Sequence, residues 1–407
     1  MQNTNVYALL TPIVLVFILL EIVACWIFQK KYISFSESVA SFGTQIGNQT
    51  TNVLMAVSVY YAYGLIWDNF RILTIPLNWW TFILLFLAID FIFYWVHRWG
   101  HEINIMWAAH SPHHTAQEMN LIVALRTGIT QRLLYFSFFW VMAVIGFHPI
   151  DIYAVVGLHV FIGFFNHTEF VRKLWRPLEY IFSTPSNHRV HHGVNPQYLD
   201  KNYGEFLIIW DRIFSTYEEE REKPEYGMLH HPNSLNPVYL NFHYYLILWK
   251  YAVAAPFWWD KIRIWFMPNG WIPRGLERQK TDERREKYSP EMFANCKPYL
   301  TFQVLLGIAL MMGIISNSYG WTTAEKWLGA GLLWWQIINW SGILEGKTWL
   351  WLSEIPRNVV TLFAVIAFNE IYQPSALLML LFITCAFSIL WTLLYFRPKV
   401  AKLVPVT

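Results

Sequence analysis

The sequence predicts an all-α fold in the form of a multi-pass transmembrane helical bundle, on the strength of its composition and its long apolar runs. Of its 407 residues, 55% are hydrophobic and 14% are charged, whereas soluble domains carry about 25% charged residues. Aromatic residues make up 18% of the chain, including 23 Trp, and Trp and Tyr are enriched at membrane–water interfaces. The net charge of +3 is too small to indicate nucleic-acid binding.

Nine apolar runs could cross a bilayer. They cover residues 7–27, 51–67, 79–96, 132–147, 151–166, 299–316, 327–344, 358–372 and 376–396. The first run has no basic region before it, so we expect a retained helix rather than a removed signal peptide. A straight span needs about 20 residues. The two shorter runs joined by His148-Pro149-Ile150 are therefore expected to form a tight hairpin that is only partly inserted.

These runs divide the chain into three predicted parts. Residues 1–78 hold the N-terminal transmembrane helices, residues 79–298 hold every histidine of the chain, and residues 299–407 hold the C-terminal transmembrane helices. Within the middle part, residues 239–267 are rich in Trp and are expected to form a helix pair in the membrane interface.

Lysine and arginine predict the orientation of the bundle. Nine crossings with the N-terminus outside would place Lys30, Lys31 and the basic cluster at 172–176 on the cytoplasmic side, and only Arg71 and Lys326 on the other. This asymmetry is what the positive-inside rule expects. The histidine-rich region would then lie at the cytoplasmic face, in a bacterial inner membrane or an endoplasmic reticulum membrane.

The histidines are strongly clustered. Eleven of the fourteen fall between His97 and His192, and nine of these lie in the motifs HRWGH (97–101), HSPHH (110–114), NHTEF (166–170) and NHRVHHG (187–193). Residues four apart share one face of a helix, as a two-nitrogen metal clamp requires. In each HxxHH motif, the histidines three apart are expected to act together, and the last one to point toward a second metal. Neutral imidazole is the commonest metal ligand in proteins.

The motifs predict a two-metal centre, because nine imidazoles are too many for one ion. The predicted metal ligands are His97, His101, His110, His113, His114, His167, His188, His191 and His192. All-nitrogen ligation suits iron and zinc alike. Among the other histidines, His148 is expected in a turn, and His159 is either an outer ligand or a polar core residue. His230, His231 and His243 are expected to be structural.

Imidazole ligands need a partner that holds their second ring nitrogen. The acidic residues close enough in sequence to do so are Asp90, Glu102, Glu169, Asp200 and Asp211. Asp90 lies two helical turns before His97 on the same face, so we expect it to orient a histidine. Glu102 follows a predicted ligand directly and points away from it, so we expect it to face a cosubstrate.

The histidine motifs resemble those of the fatty acid hydroxylase and sterol desaturase superfamily of membrane di-iron oxygenases. Three longer strings, at residues 101–126, 166–170 and 184–219, resemble the alkylglycerol monooxygenase branch of that superfamily. The resemblance implies that residues 79–298 are a fatty acid hydroxylase-type catalytic region and that the nine histidines hold two irons. It also implies hydroxylation of a lipid by O2 beside an ether oxygen, after which the product falls apart to a fatty aldehyde and a glycerol derivative. Tetrahydrobiopterin would supply the electrons, with Glu102 as its catalytic and cofactor-binding contact.

Other classes of protein remain as alternatives. A sterol or fatty-acid hydroxylase or desaturase would take electrons from NAD(P)H through an electron-transfer protein. A metal transporter is less favoured, because transporters usually show inner acidic residues and symmetric halves. A haem-binding membrane protein is less favoured, because it would use pairs of histidines on separate helices rather than HxxHH motifs. An intramembrane zinc protease is disfavoured, since Arg98 stands where the motif HExxH has its glutamate.

Overall fold

A computed structural model describes residues 6–277, 287–316, 320–372, 376–396 and 403–405. Over these residues the fold is almost entirely helical, which confirms the predicted class. Two short strands, β1 (Glu291–Phe293) and β2 (Leu403–Pro405), pair antiparallel with Met292 opposite Val404.

Five helical segments among the described residues are long and apolar enough to cross a membrane. They are Leu10–Ile27, Trp79–Glu102, Cys296–Ser316, Leu350–Ala367 and Met379–Phe396. The other four predicted runs are also helical but are shorter or less apolar than a membrane span requires. The protein is therefore an integral, multi-pass membrane protein, and the side of the membrane that the histidines face stays a prediction.

The chain divides into two compact units. We call Met1–Ile33, Asn52–Pro232 and Leu240–Arg285 the histidine unit, and Ser34–Thr51, Asn233–Tyr239 and Glu286–Thr407 the C-terminal unit. The division at 78 and 298 stays a prediction. The helices up to residue 114 are α1 (Val6–Ile27), α2 (Phe35–Phe70), α3 (Trp79–Glu102) and α4 (Asn104–His114). Those from 129 to 213 are α5 (Ile129–Phe136), α6 (Trp140–Ile145), α7 (Pro149–Phe164), α8 (Arg176–Ile181), α9 (Pro185–His191) and α10 (Ile209–Ile213). The remaining helices are α11 (Pro237–Ala254), α12 (Trp258–Arg263), α13 (Cys296–Ser316), α14 (Thr323–Leu344), α15 (Leu350–Tyr372) and α16 (Ala376–Trp391).

Capping residues fix where α3 and α9 begin, and these helices carry the first and last histidine motifs. The Asn78 side chain accepts hydrogen bonds from the backbone N–H groups of Trp80 and Thr81, and Thr184 accepts one from Asn187 N–H. Such caps satisfy backbone donors that a helix start leaves unpaired. Only Ile103, in an extended conformation, separates α3 from α4, so the first two motifs are folded back on each other.

The predicted hairpin is present as α5, α6 and α7. His148 caps α7 and accepts a hydrogen bond from Ile150 N–H, which confirms it as a turn histidine. The helices pack on α3 through a buried apolar cluster that includes Phe93, Phe139 and Val155. The Trp-rich pair over 239–267 is also present, as α11 and α12.

A buried polar network holds the C-terminal unit together. The Glu354 carboxylate accepts hydrogen bonds from Arg357 Nη2 at 2.6 Å, from Asn339 Nδ2 at 2.7 Å and from the Tyr299 hydroxyl. Glu354 and Arg357 are 2% and 3% exposed, so this ion pair lies inside the bundle. Its members come from α13, α14 and α15, and the network therefore ties three helices to one another.

Candidate metal centre

All nine predicted ligands come together in the histidine unit, in two groups. The first group is His97, His101, His110, His114 and His191, and the second is His113, His167, His188 and His192. Within each group the candidate ligand nitrogens all lie within 4.8 Å of one another. Every one of these residues is buried, with at most 8% of its surface exposed.

Each HxxHH motif is divided between the two groups. In α4, His110 and His114 join the first group while His113 joins the second. Our expectation paired the histidines three apart, and the structure instead pairs those four apart. Successive residues turn by about 100° in an α-helix, so side chains four apart diverge by about 40° and those three apart by about 60°. The same geometry at the end of α9 groups His188 with His192 and sends His191 to the first group.

Backbone carbonyls hold four of the imidazole rings. The Nδ1 atom of His97 lies 2.8 Å from the carbonyl oxygen of Tyr203. The Nδ1 atom of His191 lies 3.1 Å from the carbonyl oxygen of Lys201. In the second group, Nδ1 of His113 and of His167 each lies 3.1 Å from a carbonyl oxygen, of Arg126 and Gly163 respectively. A carbonyl oxygen only accepts hydrogen bonds, so Nδ1 of each ring carries the proton and Nε2 presents its lone pair.

Lone pairs of the two rings in the second group therefore face each other. The Nε2 atoms of His113 and His167 are 3.1 Å apart, and neither can donate a hydrogen bond to the other. Two such lone pairs repel unless a cation lies between them. In the first group, Nε2 of His101 and of His191 has no hydrogen-bond partner among the described residues. Each of the two groups could therefore hold a metal ion.

The spacing of the nitrogens is shorter than tetrahedral ligation of one ion would give. Neighbouring Nε2 atoms are 3.0–3.2 Å apart in both groups. With metal–nitrogen bonds of about 2.1 Å, two ligands at a right angle are about 3.0 Å apart, and two ligands at the tetrahedral angle are about 3.4 Å apart. The first group also supplies five nitrogens, one more than a tetrahedral site takes.

Burial keeps the clustered imidazoles neutral. Desolvation lowers the pKa of His110, His113, His114, His188 and His191 well below the usual value, and neighbouring imidazoles lower it further. The pKa of His192 falls for the same reasons. A metal ligand must be neutral imidazole, so the rings are in the binding form across the physiological pH range.

Two of the predicted acidic partners, Asp90 and Asp211, lie near the centre but accept hydrogen bonds from backbone N–H groups. Asp211 accepts hydrogen bonds from the N–H groups of Tyr203 and Gly204 at 2.7 Å. Asp90 accepts from Phe206 N–H at 3.0 Å and lies 3.7 Å from His159 Nε2 rather than beside a clustered histidine. Both carboxylates thus fix the loop whose carbonyl oxygen holds His97. We expected these carboxylates to contact a ligand imidazole directly, but they contact the backbone of the loop that holds one.

The other three predicted acidic residues, Asp200, Glu169 and Glu102, differ in how they are placed relative to the histidine groups. Asp200 Oδ1 lies 4.0 Å from His101 Nδ1, so this carboxylate borders the first group. Glu169 accepts a hydrogen bond from the Tyr226 hydroxyl at 2.6 Å. Glu102 pairs with Arg98 at 2.8 Å, and its side chain is 41% exposed, so it lies at the surface of the unit beside the first group.

The remaining histidines stand outside both groups. His159 is fully buried, with Nδ1 2.9 Å from the Val155 carbonyl oxygen, so of its two alternatives the structure favours the polar core residue. His231 Nε2 lies 3.0 Å from the Thr115 carbonyl oxygen, and His243 Nδ1 lies 2.9 Å from that of Leu240. These contacts are those of structural histidines, as expected.

Sequence reasoning missed Glu21, which connects α1 to the centre. One carboxylate oxygen accepts a hydrogen bond from Leu121 N–H at 2.7 Å, and the other accepts one from the Thr168 hydroxyl at 2.6 Å. Thr168 is next to His167, so α1 holds the segment of the chain that carries His167. Glu21 is the one charged residue of Val6–Ile27, and an isolated ionisable group in an apolar span is a signal that could have found it.

Comparison with known proteins places these residues in a family context. Residues 82–216, which include all nine histidines, match the profile of the Fatty acid hydroxylase family. The chain is 34% identical to the alkylglycerol monooxygenase of Homo sapiens over 77% of its own length and 71% of the relative's. It is 34% identical to that of Xenopus tropicalis, over 73% and 68%, and 37% identical to that of Danio rerio, over 65% and 59%. No solved structure matches the chain.

Proposed function

The chain belongs to the alkylglycerol monooxygenase family, and from that premise we propose that it cleaves the ether bond of alkylglycerols at a di-iron centre. It is a lipid monooxygenase, and its lipid comes from the bilayer. The overall change inserts one atom of O2 into the C–H bond beside the ether oxygen, and two electrons and two protons convert the other atom to water. The resulting hemiacetal separates into a fatty aldehyde and a glycerol derivative.

The facing lone pairs of His113 and His167 carry the metal part of this proposal. Both rings donate a hydrogen bond from Nδ1–H to a carbonyl oxygen, and their Nε2 atoms are 3.1 Å apart. The nitrogen spacing near 3 Å and the five donors of the first group favour iron over tetrahedral zinc. We propose the nine histidines as the ligands, five to one ion and four to the other. When bound, the iron pair supplies the activation of O2.

The protein's own contribution is to position and protect this centre. The carbonyl oxygens of Arg126, Gly163, Lys201 and Tyr203 keep four rings in one tautomer and one orientation. Partners of this kind tune metal affinity and activity substantially. The apolar side chains packed around Phe93 would keep water away from this side of the centre.

We further propose that a reduced pterin, tetrahydrobiopterin, gives the two electrons from the cytoplasmic side. Glu102 is 41% exposed and is paired with Arg98 at the end of α3, directly after His101. A carboxylate there can accept hydrogen bonds from the N–H groups of a pterin ring that approaches the first group. Glu102→Gln should therefore raise the KM for the pterin about tenfold, the loss of one charged hydrogen bond, with no change in the KM for the lipid.

The test uses membranes that contain the protein, supplied with a 1-O-alkylglycerol and O2, with or without tetrahydrobiopterin. We expect fatty aldehyde only when the pterin is present, from protein that holds about two irons per chain. Aldehyde formation with NAD(P)H and a redox protein but without pterin would contradict the electron donor. Protein that holds two irons and yet releases no aldehyde would contradict the ether substrate and direct the search to sterols and fatty acids.

A further inference from the structure

A short segment between His167 and α9 exposes large apolar side chains. We call residues 171–181, which include α8, the α8 surface. Trp175 is 73% exposed and Tyr180 is 60% exposed. An exposed apolar patch that is accompanied by polar residues marks a contact with another protein or with a membrane. The exposed apolar side chains of this surface are Val171, Leu174, Trp175, Leu178, Tyr180 and Ile181.

The α8 surface also carries positive charge that the chain does not neutralise. Arg172, Lys173 and Arg176 are all exposed. Lys173 pairs with Glu219 at 2.8 Å. Among the described residues, no carboxylate oxygen lies within 4.0 Å of the guanidinium of Arg172 or of Arg176. Two cationic groups beside exposed apolar side chains are thus available to an anion from outside the chain.

Hydrogen bonds hold the α8 surface in one shape. The Glu179 carboxylate accepts hydrogen bonds from Leu174 N–H at 2.7 Å and from the Ser186 hydroxyl at 2.6 Å. Arg189 Nη1 donates one to the Val171 carbonyl oxygen at 2.6 Å. Glu179 is the one acidic residue of the segment, and its carboxylate is occupied by these donors rather than by an arginine of the surface. The apolar and basic side chains therefore project from a fixed backbone.

The α8 surface begins where a membrane span ends. The ring centroid of Phe170 lies 5.3 Å from that of Tyr32 and 6.4 Å from that of Phe28. Phe28 directly follows the apolar segment Leu10–Ile27, which can cross a membrane. Lys30 and Lys31 lie between the two contacting residues of α1 and its following turn, and both are exposed. The segment thus starts at the level where α1 leaves the hydrocarbon and the lipid headgroups begin.

This combination of features fits a bilayer surface better than a protein partner. Trp and Tyr are enriched at the headgroup level, and basic residues next to a span are attracted to negatively charged lipids. Exposed Trp and Leu side chains can enter the boundary between headgroups and acyl chains while neighbouring Lys and Arg remain among the phosphates. Arginines without a carboxylate partner favour a headgroup with net negative charge over one that carries its own cation.

We propose that the α8 surface docks on the anionic phospholipids of the adjacent leaflet. Arg172 and Arg176 bind headgroup phosphates, and Trp175 and Leu178 enter the acyl boundary. The segment joins His167 to α9, so this contact also holds the chain between the ligands of the second group against the bilayer. The inference is independent of the proposed reaction, because none of the nine histidines belongs to this surface.

The test places a fluorescent probe on the surface itself. Leu178→Cys is labelled with a bimane, since the three native cysteines are buried. The metal-loaded full chain, delipidated in a neutral detergent, is titrated with phosphatidylglycerol or with chain-matched phosphatidylcholine. Both lipids carry brominated acyl chains, which quench a fluorophore that they contact. We expect phosphatidylglycerol to quench at much lower concentrations than phosphatidylcholine, and added salt to weaken this preference.

Removing the two free charges should remove the preference. Arg172→Gln combined with Arg176→Gln should weaken quenching by phosphatidylglycerol about 25-fold, a factor of about five for each basic residue lost near an anionic surface. Quenching by phosphatidylcholine and the metal content should not change. The matched control is Arg221→Gln combined with Lys223→Gln, which removes the same charge from exposed residues of the histidine unit outside the α8 surface. It should keep the preference.

Four outcomes would overturn the proposal. Equal quenching by the two lipids would show that charge is not recognised, and a preference that survives without Arg172 and Arg176 would place the binding elsewhere. A probe that no lipid quenches, in protein that light scattering shows to be a dimer, would mean that a second copy covers the surface. Loss of metal from the arginine variant would show a structural role instead.

Discussion

The two units of this protein each contain a buried polar cluster, and the clusters differ in how their hydrogen bonds are satisfied. In the C-terminal unit, the Glu354 carboxylate meets donors from Arg357, Tyr299 and Asn339. In the histidine unit, the Nε2 atoms of His113 and His167 face each other with no proton between them. One cluster is complete within the chain, and in the other these two lone pairs face each other with no donor between them.

This difference separates a structural cluster from a functional one. A buried polar network whose members all have partners stabilises one arrangement of helices. A buried cluster of lone pairs destabilises the fold until something positive binds it. The two clusters are alike in burial and polarity, so neither property identifies the functional site. The site is identified by comparing the number of hydrogen-bond donors with the number of acceptors in each cluster.

The largest effect is expected from removing a ligand of the second group. His113→Ala should abolish aldehyde formation and reduce the bound metal from about two ions per chain to about one, because three imidazoles remain for that ion. Metal analysis of purified protein, together with the activity assay, measures both. His191→Ala should also abolish aldehyde formation, but four imidazoles remain in the first group, so that ion should bind more weakly rather than be lost.

The matched control is His230→Gln, since His230 is an exposed histidine outside both groups. It should keep both ions and the activity. Full activity in His113→Ala, with protein present in the membrane, would remove the second group from the site.

A pH titration of the metal-free protein should sharpen the contrast between the units. Burial lowers the pKa of His110, His113, His188 and His192 below its unfolded value of about 6.5. Below pH 6.5 the unfolded chain therefore binds more protons than the folded one. Stability is full above pH 6.5 and falls by about 1.4 kcal/mol per pH unit for each such histidine as the pH drops.

Thermal unfolding in detergent between pH 7.5 and 5.0, with and without added iron, tests this. The melting temperature of the metal-free protein should fall steeply below pH 6.5, and bound metal should raise it at pH 7.5. A flat profile for the metal-free protein would contradict neutral, buried imidazoles.

Breaking the complete network should destabilise the C-terminal unit. Glu354→Leu leaves the Arg357 guanidinium buried without its carboxylate, and such a loss costs about 3–5 kcal/mol. The double variant with Arg357→Leu removes both charges and should recover much of that loss. Denaturant unfolding of the three proteins gives the comparison. A double variant less stable than the single one would show that Arg357 has other essential partners.

The smallest effect is expected at Glu21. Glu21→Gln keeps the size of the side chain but replaces one acceptor oxygen by an NH2 group, which cannot accept a hydrogen bond. The variant can therefore accept from either Leu121 N–H or the Thr168 hydroxyl, but not from both. The segment of His167 should loosen, and metal affinity should fall about tenfold, the lower end for residues that hold ligands in place. Competition with a chelator measures this. An unchanged affinity would show that α1 does not position the ligand.

The sequence predicted the members of the site better than their arrangement. HxxxH and the two HxxHH motifs determine which rings share a helix, so eight of the nine histidines could be named from them, and His167 was named from its own motif, NHTEF. The carbonyl oxygens that hold the rings could not, because every residue has one and the pattern of side chains does not reveal it. Asp90 and Asp211 were selected for their closeness in sequence, which says nothing of direction, and they hold backbone N–H groups instead.

With the proposed ligands, the division of each HxxHH motif between the two groups predicts cooperative uptake of metal. Because α4 and α9 each supply ligands to both groups, the first ion to bind orders the same two helices that the second ion needs. The second ion then binds a preorganised site and bears less of the entropic cost. Protein titrated with less than two equivalents of metal should therefore contain mainly empty and fully loaded molecules, with few that hold a single ion. Native mass spectrometry of the titration would count the three species directly.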